Sequence, residues 1–179
     1  MTMRAVFMGS VDWLYKEPIE KELAHLPKDC VIVTGASAQG AEGLSADLAR
    51  EMGLRVYVEL SDWSRHGRLA NAMRNVKMLE DGADAVYLFV SPPADGRQMD
   101  VNADYMVAMA RQRDVPVHLF QLEGLKSSVS DACDLNVLRT DFWPGHDPVQ
   151  VVAGRIMRPA QVEDPELSRP AAAHKRLGL

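Results

Sequence analysis

The sequence has little cysteine, few aromatic residues and no long apolar run. Its 179 residues include two cysteines, Cys30 and Cys133, and 6% aromatic residues. Two cysteines this far apart do not form the disulfide framework of a small secreted protein, so we expect free thiols in a reducing compartment. The short apolar run after Arg4 suits neither a signal peptide nor a membrane span. The sequence therefore predicts a cytoplasmic protein without a membrane segment.

Metal-binding motifs and an excess of positive charge are also missing. The five histidines and two cysteines show no His-x3-His or Cys-x2-Cys spacing, so we expect neither a metal nor a resident cofactor. Twenty lysines and arginines stand against 25 aspartates and glutamates, a net charge of −5. Such a balance gives little attraction to a phosphate backbone, so nucleic acid is an unlikely partner.

Short buried strands alternate with amphipathic segments over the first two thirds of the chain. Apolar residues recur every three or four positions between five short apolar runs, a spacing typical of helices that bury one face. Such alternation predicts an α/β fold: a Rossmann-like, doubly wound parallel sheet of about five strands. The predicted strands span residues 4–8, 30–34, 55–60, 85–90 and 115–120.

The last third of the chain has a different composition. Five of the ten prolines lie beyond residue 143, which disfavours long regular elements. We therefore divide the chain into a ligand-binding domain, residues 1–124, and a Pro-rich extension, residues 125–179. Asp147 as a cap and Pro148 in a first turn predict a short helix there. Its apolar face would cover a sheet edge or join subunits of a homo-oligomer, a dimer or larger, through Val149, Val152 and Ile156.

The segment Thr34-Gly-Ala-Ser-Ala-Gln-Gly-Ala-Glu42 runs from the second strand into a helix. A glycine turn at a helix amino terminus exposes backbone N–H groups that favour a phosphate or carboxylate. A Walker A loop needs Lys and then Ser or Thr after the second glycine, but Ala41 and Glu42 stand there. The alternative is that the glycines only permit a tight turn. The candidate ligand-binding residues are Gly35, Ala36, Ser37, Gln39 and Gly40.

The first strand ends in Gly9-Ser10-Val-Asp12-Trp13. Glycine permits close backbone approach, the serine adds a donor and acceptor, and the tryptophan offers a face on which a base can stack. Equally, Asp12 caps a helix and Trp13 belongs to the core.

The third loop holds Asp62 and Trp63 and opens a basic stretch in an acidic chain. Guanidinium groups at the ligand-binding end of a parallel sheet suit a phosphorylated ligand, and Asn75 follows directly. The alternative is that these side chains are solvated or structural. The basic residues are Arg65, His66, Arg68 and Arg74.

The fourth loop, residues 91–105, is long and polar enough to border a site. Its carboxylates, Asp95, Asp100 and Asp104, suit a general base or a ribose contact, although aspartate is also common in turns. No catalytic residue is assigned; the candidates are Asp100 and Asp104.

Taken in order, these motifs resemble the YspA-like branch of the SLOG superfamily. The resemblance covers residues 4–120 and consists of Gly9-Ser-x-Asp-Trp13, Thr34-Gly-Ala-x-x-x-Gly-Ala-Glu42, Asp62-Trp-x-x-His-Gly-Arg-x-Ala70 and Arg74-Asn-x-x-Met78. SLOG domains are Rossmann-like relatives of DprA and of the LOG phosphoribohydrolases. The resemblance implies binding of a nucleoside phosphate, ADP-ribose or an NAD-like ligand, by a sensor or by a hydrolase of the N-glycosidic bond.

Two departures from the family pattern separate these activities. The usual second loop, Gly-Gly-Ala-Arg-Gly-Ala-Asp, loses its basic residue here. The LOG segment Gly-Gly-x-Gly-Thr with a catalytic Glu is replaced by Asp95-Gly96 and Asn102-Ala-Asp104. We therefore expect a binding protein that senses or sequesters its ligand. A LOG-like hydrolase is the alternative, and DprA-like binding of single-stranded DNA is a weaker one.

Overall fold

The computed structural model describes residues 2–91, 101–124 and 134–157. Asp95, Asp100 and Cys133 lie outside these ranges. The elements are β1 (Arg4–Gly9), α1 (Lys16–His25), β2 (Val31–Gly35), α2 (Gly40–Glu51), β3 (Arg55–Glu59), α3 (Trp63–His66), a 3-10 turn (Gly67–Leu69), α4 (Ala70–Glu80), β4 (Ala85–Val90), α5 (Val101–Gln112), β5 (Val117–Gly124), β6 (Asp134–Phe142) and β7 (Val149–Met157).

All described strands form one mixed sheet of seven strands in the order β3-β2-β1-β4-β5-β6-β7. Strands β1 to β5 pair in parallel, while β6 and β7 are added antiparallel at one edge. The α/β class is confirmed, and the order of the parallel strands is compatible with a Rossmann-like arrangement. The prediction of a wholly parallel sheet of about five strands is wrong, because the carboxyl-terminal extension adds the two antiparallel strands β6 and β7.

Alternation along each central strand separates the core into two layers. Phe7, Tyr87 and Phe89 point to one face, where rings stack at centroid distances of 4.5 to 6.0 Å and α1 and α2 cover them. Their neighbours Val6 and Leu88 point to the other face, beneath α4 and α5. Because both faces are buried, these strands are apolar throughout rather than alternating.

The helix predicted near the carboxyl end is wrong: residues 149–157 form strand β7. Val149, Val151 and Val152 are β-branched, and branching at Cβ favours a strand. Pro148 therefore precedes a strand rather than occupying a first helical turn. β7 pairs with β6 on one side and forms the sheet edge, with Val152 65% exposed.

A partly buried charge cluster ties the added hairpin to the parallel sheet. His118 Nδ1 of β5 lies 2.6 Å from Asp141 Oδ1 of β6, and Arg139 Nε donates to the same oxygen at 2.7 Å. Arg139 also lies 3.3 Å from Glu22 Oε1 on α1. Burial raises the pKa of the Asp141 carboxyl, but the hydrogen bonds from Arg139 and His118 outweigh it, and the pKa falls below its ordinary value.

Acid should destabilise the fold by protonating the Asp141 carboxyl. A carboxyl whose pKa is lower in the folded state stabilises the fold above its unfolded pKa, and that stabilisation is lost as the pH falls through the folded pKa. We expect the free energy of unfolding to decrease below about pH 4. In the Asp141→Asn variant, that decrease should be shallower and the stability at pH 7 lower. Denaturant titrations between pH 7 and pH 3 measure both, and an identical slope in the variant contradicts the role of Asp141.

Candidate functional site

An open cavity of about 590 Å³ lies at the carboxyl ends of the parallel strands. Its floor and walls come from the ends of β1 to β4 and from α4, at the point where the strand order reverses between β1 and β4. Ligands of open α/β sheets bind at this position. Its apolar lining includes Val11, Leu60 and Trp63, and its polar lining is Ser37, Glu42, Ser61, Asn71, Arg74 and Asn75.

Two glycines let backbone segments approach closely beneath the cavity. Gly9 has φ of +155°, and a Cβ there would lie 1.9 Å from the Phe89 carbonyl oxygen. Gly40 has φ of +67°, and a Cβ there would lie 2.3 Å from the Ser10 oxygen. The Ser10 carbonyl accepts the N–H of Ala41 at 3.0 Å. The loop that follows β1 therefore packs directly on the start of α2.

Arg74 and Glu42 form a buried bidentate ion pair across the end of β2. Arg74 Nη2 lies 2.7 Å from Glu42 Oε1, and Nη1 lies 3.3 Å from Oε2. The two side chains are only 9% and 8% exposed. Gly35 lies against the pair, because a Cβ there would sit 2.1 Å from Arg74 Nη1. A side chain at this position would displace the ion pair from its observed geometry.

The Glu42 carboxylate also occupies the glycine loop, where the sequence predicts a ligand anion. Its Oε2 accepts the backbone N–H of Ser37 at 3.3 Å. Two further amides already have partners, since Gln39 N donates to Ser37 Oγ and Ala41 N to Ser10. An internal carboxylate therefore occupies part of the loop where the sequence predicts a ligand anion.

The cavity brings together about half of the predicted ligand-binding residues. Those on its wall are Gly9, Ala36, Ser37, Trp63, Arg74 and Asn75. Gly35 supports the ion pair behind the wall, while Ser10 and Gly40 join the first loop to α2. Asp12 is exposed at a turn and Gln39 precedes α2, both off the wall.

Trp13 does not face a ligand. Its side chain is fully buried, its Nε1 donates to the Tyr15 carbonyl at 2.7 Å, and its ring lies 5.5 Å from that of Phe89. Trp13 therefore belongs to the core, the alternative given for it above. The prediction that a base stacks on it is wrong.

Most of the charged residues predicted near the site serve other purposes. Asp62 caps the short α3, and hydrogen bonds from Ser64 and the Arg65 N–H lower its pKa. Arg65, Arg68 and Asp104 are exposed and do not line the cavity. Of the predicted basic cluster, Arg74 alone reaches the cavity among the described residues, and Glu42 neutralises it.

The sequence reasoning missed Ser61 and Asn71. Ser61 Oγ donates to Asn71 Oδ1 at 2.7 Å, joining the end of β3 to α4. Asn71 stands four residues before Asn75, a spacing that places both on one helix face. This spacing in the sequence indicates that Asn71 lies on the same side of the helix as the predicted site residue Asn75.

No helix within the described ranges is long and apolar enough to cross a membrane. Over the same residues, no cluster of three potential metal ligands occurs. Burial raises the pKa of the Cys30 thiol, which is free.

Fold and cavity define an α/β protein with a cleft at the switch point of its sheet. No protein-family model matches the chain, and no solved structure gives a significant match. The chain is similar to the Gene 61 protein of Mycobacterium phage D29, with 33% identity over 95 residues that cover 48% of this chain and 75% of that protein. The chain belongs to the family of this phage protein, whose name states no activity. The SLOG resemblance stays a prediction.

The second prediction concerns the ion pair. Removing one partner leaves a buried charge uncompensated, so Arg74→Ala and Glu42→Ala should each lower the free energy of unfolding by about 3 to 5 kcal/mol. The double variant should lose clearly less than the sum, because it removes both charges. Chemical denaturation measures all three.

The control is Arg50→Ala, which breaks the exposed pair with Asp47 and should cost no more than about 1 kcal/mol. Additive losses in the Arg74 and Glu42 double variant would show that the two side chains do not stabilise each other.

Proposed function

We propose that this chain binds a nucleotide-derived small molecule, as a sensor or a sequestering protein. The observation that carries the proposal is the cavity at the switch point of the sheet, which combines an apolar rim with a polar wall. Its volume of about 590 Å³ falls within the range of small-molecule sites. A nucleoside phosphate, ADP-ribose or an NAD-like molecule, the ligands that the SLOG resemblance implies, presents both a planar base and polar groups.

The apolar rim suits a planar ring. Val11, Leu60 and Trp63 lie on the cavity wall although each is more than half exposed. Large apolar side chains in contact with water at a concave site gain free energy when a ligand covers them. The indole of Trp63, 58% exposed, adds an aromatic face for stacking.

Binding is favoured over hydrolysis because, among the described residues of the wall, no carboxylate is without a partner. Among the described residues Glu42 is the only carboxylate that lines the cavity, and Arg74 and Ser37 hold it. A LOG-like hydrolase remains the alternative, with Asp100 and Asp104 as its candidates. Asp100 lies outside the described ranges, and Asp104 is exposed and off the cavity wall. DprA-like DNA binding is the weaker alternative, since the net charge of −5 opposes it.

The same resemblance supports proposals for the fold, the cellular location and the assembly of the protein. The fold would be a doubly wound, Rossmann-like SLOG domain with a carboxyl-terminal extension. The protein would be cytoplasmic and homo-oligomeric, with the exposed valines of β7 at the contact between subunits.

The third prediction tests the site by thermal shift and native mass spectrometry. A ligand present at about 100 times its Kd should stabilise the fold by roughly 2.7 kcal/mol. Trp63→Ala should weaken binding by about 1 kcal/mol or more because the stacking face is lost. Trp143→Ala is the matched control, since this tryptophan is 46% exposed and does not line the cavity.

Equal loss of binding in both tryptophan variants would show that the ligand binds outside this cavity. Recovery of free base and ribose phosphate instead of intact ligand would support the hydrolase. If no nucleotide, nucleoside, ADP-ribose or NAD shifts the melting temperature, the proposed function is wrong.

A further inference from the structure

The cavity presents two asparagine side chains from successive turns of α4. Asn71 and Asn75 both line it. Each uses its amide oxygen inside the protein: Asn71 Oδ1 accepts from Ser61 Oγ at 2.7 Å, and Asn75 Oδ1 accepts from Arg74 Nη2 at 3.0 Å. An amide oxygen accepts two hydrogen bonds, so Asn75 Oδ1, which accepts from both Nε and Nη2 of Arg74, is filled, while Asn71 Oδ1 keeps one lone pair. Both amides have their N–H groups left to offer.

Those N–H groups have no acceptor in the part of the chain that the structure describes. Neither Asn71 Nδ2 nor Asn75 Nδ2 donates to a described residue, although Asn75 is only 1% exposed. Among the described residues, Arg4 Nε is the only buried side-chain nitrogen or oxygen atom without a partner, so the two amide nitrogens are reached by solvent. Both residues line the cavity, and their N–H groups are free to donate to a ligand there. The polar wall therefore recognises hydrogen-bond acceptors.

The charge of the same wall is balanced. Arg74 directs its Nη2 to Glu42 and Asn75, and its Nε to Asn75. Because Glu42 neutralises the guanidinium at 2.7 Å, a second anion at this wall would gain little from its charge. The wall suits an uncharged group.

We infer that the part of the ligand inside the cavity is an uncharged, carbonyl-bearing ring, such as a 6-oxopurine or a pyrimidine base. Asn71 and Asn75 donate to its oxygen or ring-nitrogen acceptors, and Trp63 covers its face. A phosphate, where the ligand has one, lies outside this wall. This inference rests on the proposed function and specifies which portion of the ligand is recognised.

Adenine fits this wall less well. An asparagine that reads adenine uses both halves of its amide, accepting from N6 and donating to N7. Here Asn75 Oδ1 already accepts two hydrogen bonds from Arg74, so the 6-amino group of adenine would find an acceptor only on Asn71 Oδ1, which already accepts from Ser61.

The test compares matched ligands by isothermal titration: inosine, inosine 5′-monophosphate, guanosine, uridine and adenosine. We expect an oxo-base nucleoside to bind within about threefold of its monophosphate and at least about tenfold more tightly than adenosine. A monophosphate that binds more than about 100-fold tighter than its nucleoside overturns the inference but leaves the proposed function intact. Absence of binding by every compound overturns both.

Asparagine variants test the donors. Asn71→Asp and Asn75→Asp keep the oxygens that accept from Ser61 and Arg74 but remove the N–H donors. Each should weaken binding of the best nucleoside by about tenfold. Asn136→Asp on β6, outside the cavity, makes the same chemical change and should have no effect.

The variants are compared at matched fractions folded, which the melting curves give. Wild-type affinity in folded Asn71→Asp and Asn75→Asp overturns the inference. Equal weakening by Asn136→Asp would also overturn it, because added negative charge alone would then explain the loss.

Discussion

The buried ion pair between Arg74 and Glu42 connects the two helical layers of this protein. Glu42 belongs to α2, which packs on one face of the sheet, and Arg74 belongs to α4, which packs on the other. The two side chains meet across the end of β2, where the absence of a side chain at Gly35 leaves room for them. Two charges removed from water are stable only as a complete pair, so this contact fixes how both helices sit at the strand ends. The cavity wall depends on it.

The pair also gives Arg74 a structural role on α4. Arg74 and Asn75 are neighbours in sequence, and the asparagine oxygen accepts from the arginine. The arginine is thereby held by two acceptors, and both it and the asparagine line the cavity. The charged residue that sequence patterns point to for phosphate binding instead orients the neutral residue beside it.

Local sequence patterns predicted the parallel part of the fold well. The apolar runs placed β1 to β4 within a residue or two, because strands buried on both faces are continuous apolar segments. The helical stripes located α1, α2, α4 and α5 for the same kind of reason. The hairpin of β6 and β7 was not predicted because the sequence after Pro148 has the spacing of a helix. Val149, Val152 and Ile156 are three and four residues apart. Pairing with the preceding strand β6, which the spacing within this segment does not show, decided the outcome.

The site was predictable in position but not in detail. Glycines and polar residues after the strands marked the correct edge of the sheet. Sequence alone did not show that Glu42 reaches back to Arg74, nor that Trp13 turns into the core, because both depend on how α2 packs against the first loop. Burial and pairing, which are tertiary properties, decide whether a polar residue at a strand end faces a ligand or a neighbour.

The place of β7 in the strand order has a consequence for how the sheet can grow. β7 stands three strands from β4 and the cavity, and it pairs on one side only in the described part of the chain. An unpaired edge rich in valine is the surface to which a further strand adds most readily. Any such addition would lengthen the sheet away from the cavity. An added strand at that edge would therefore leave the cavity open.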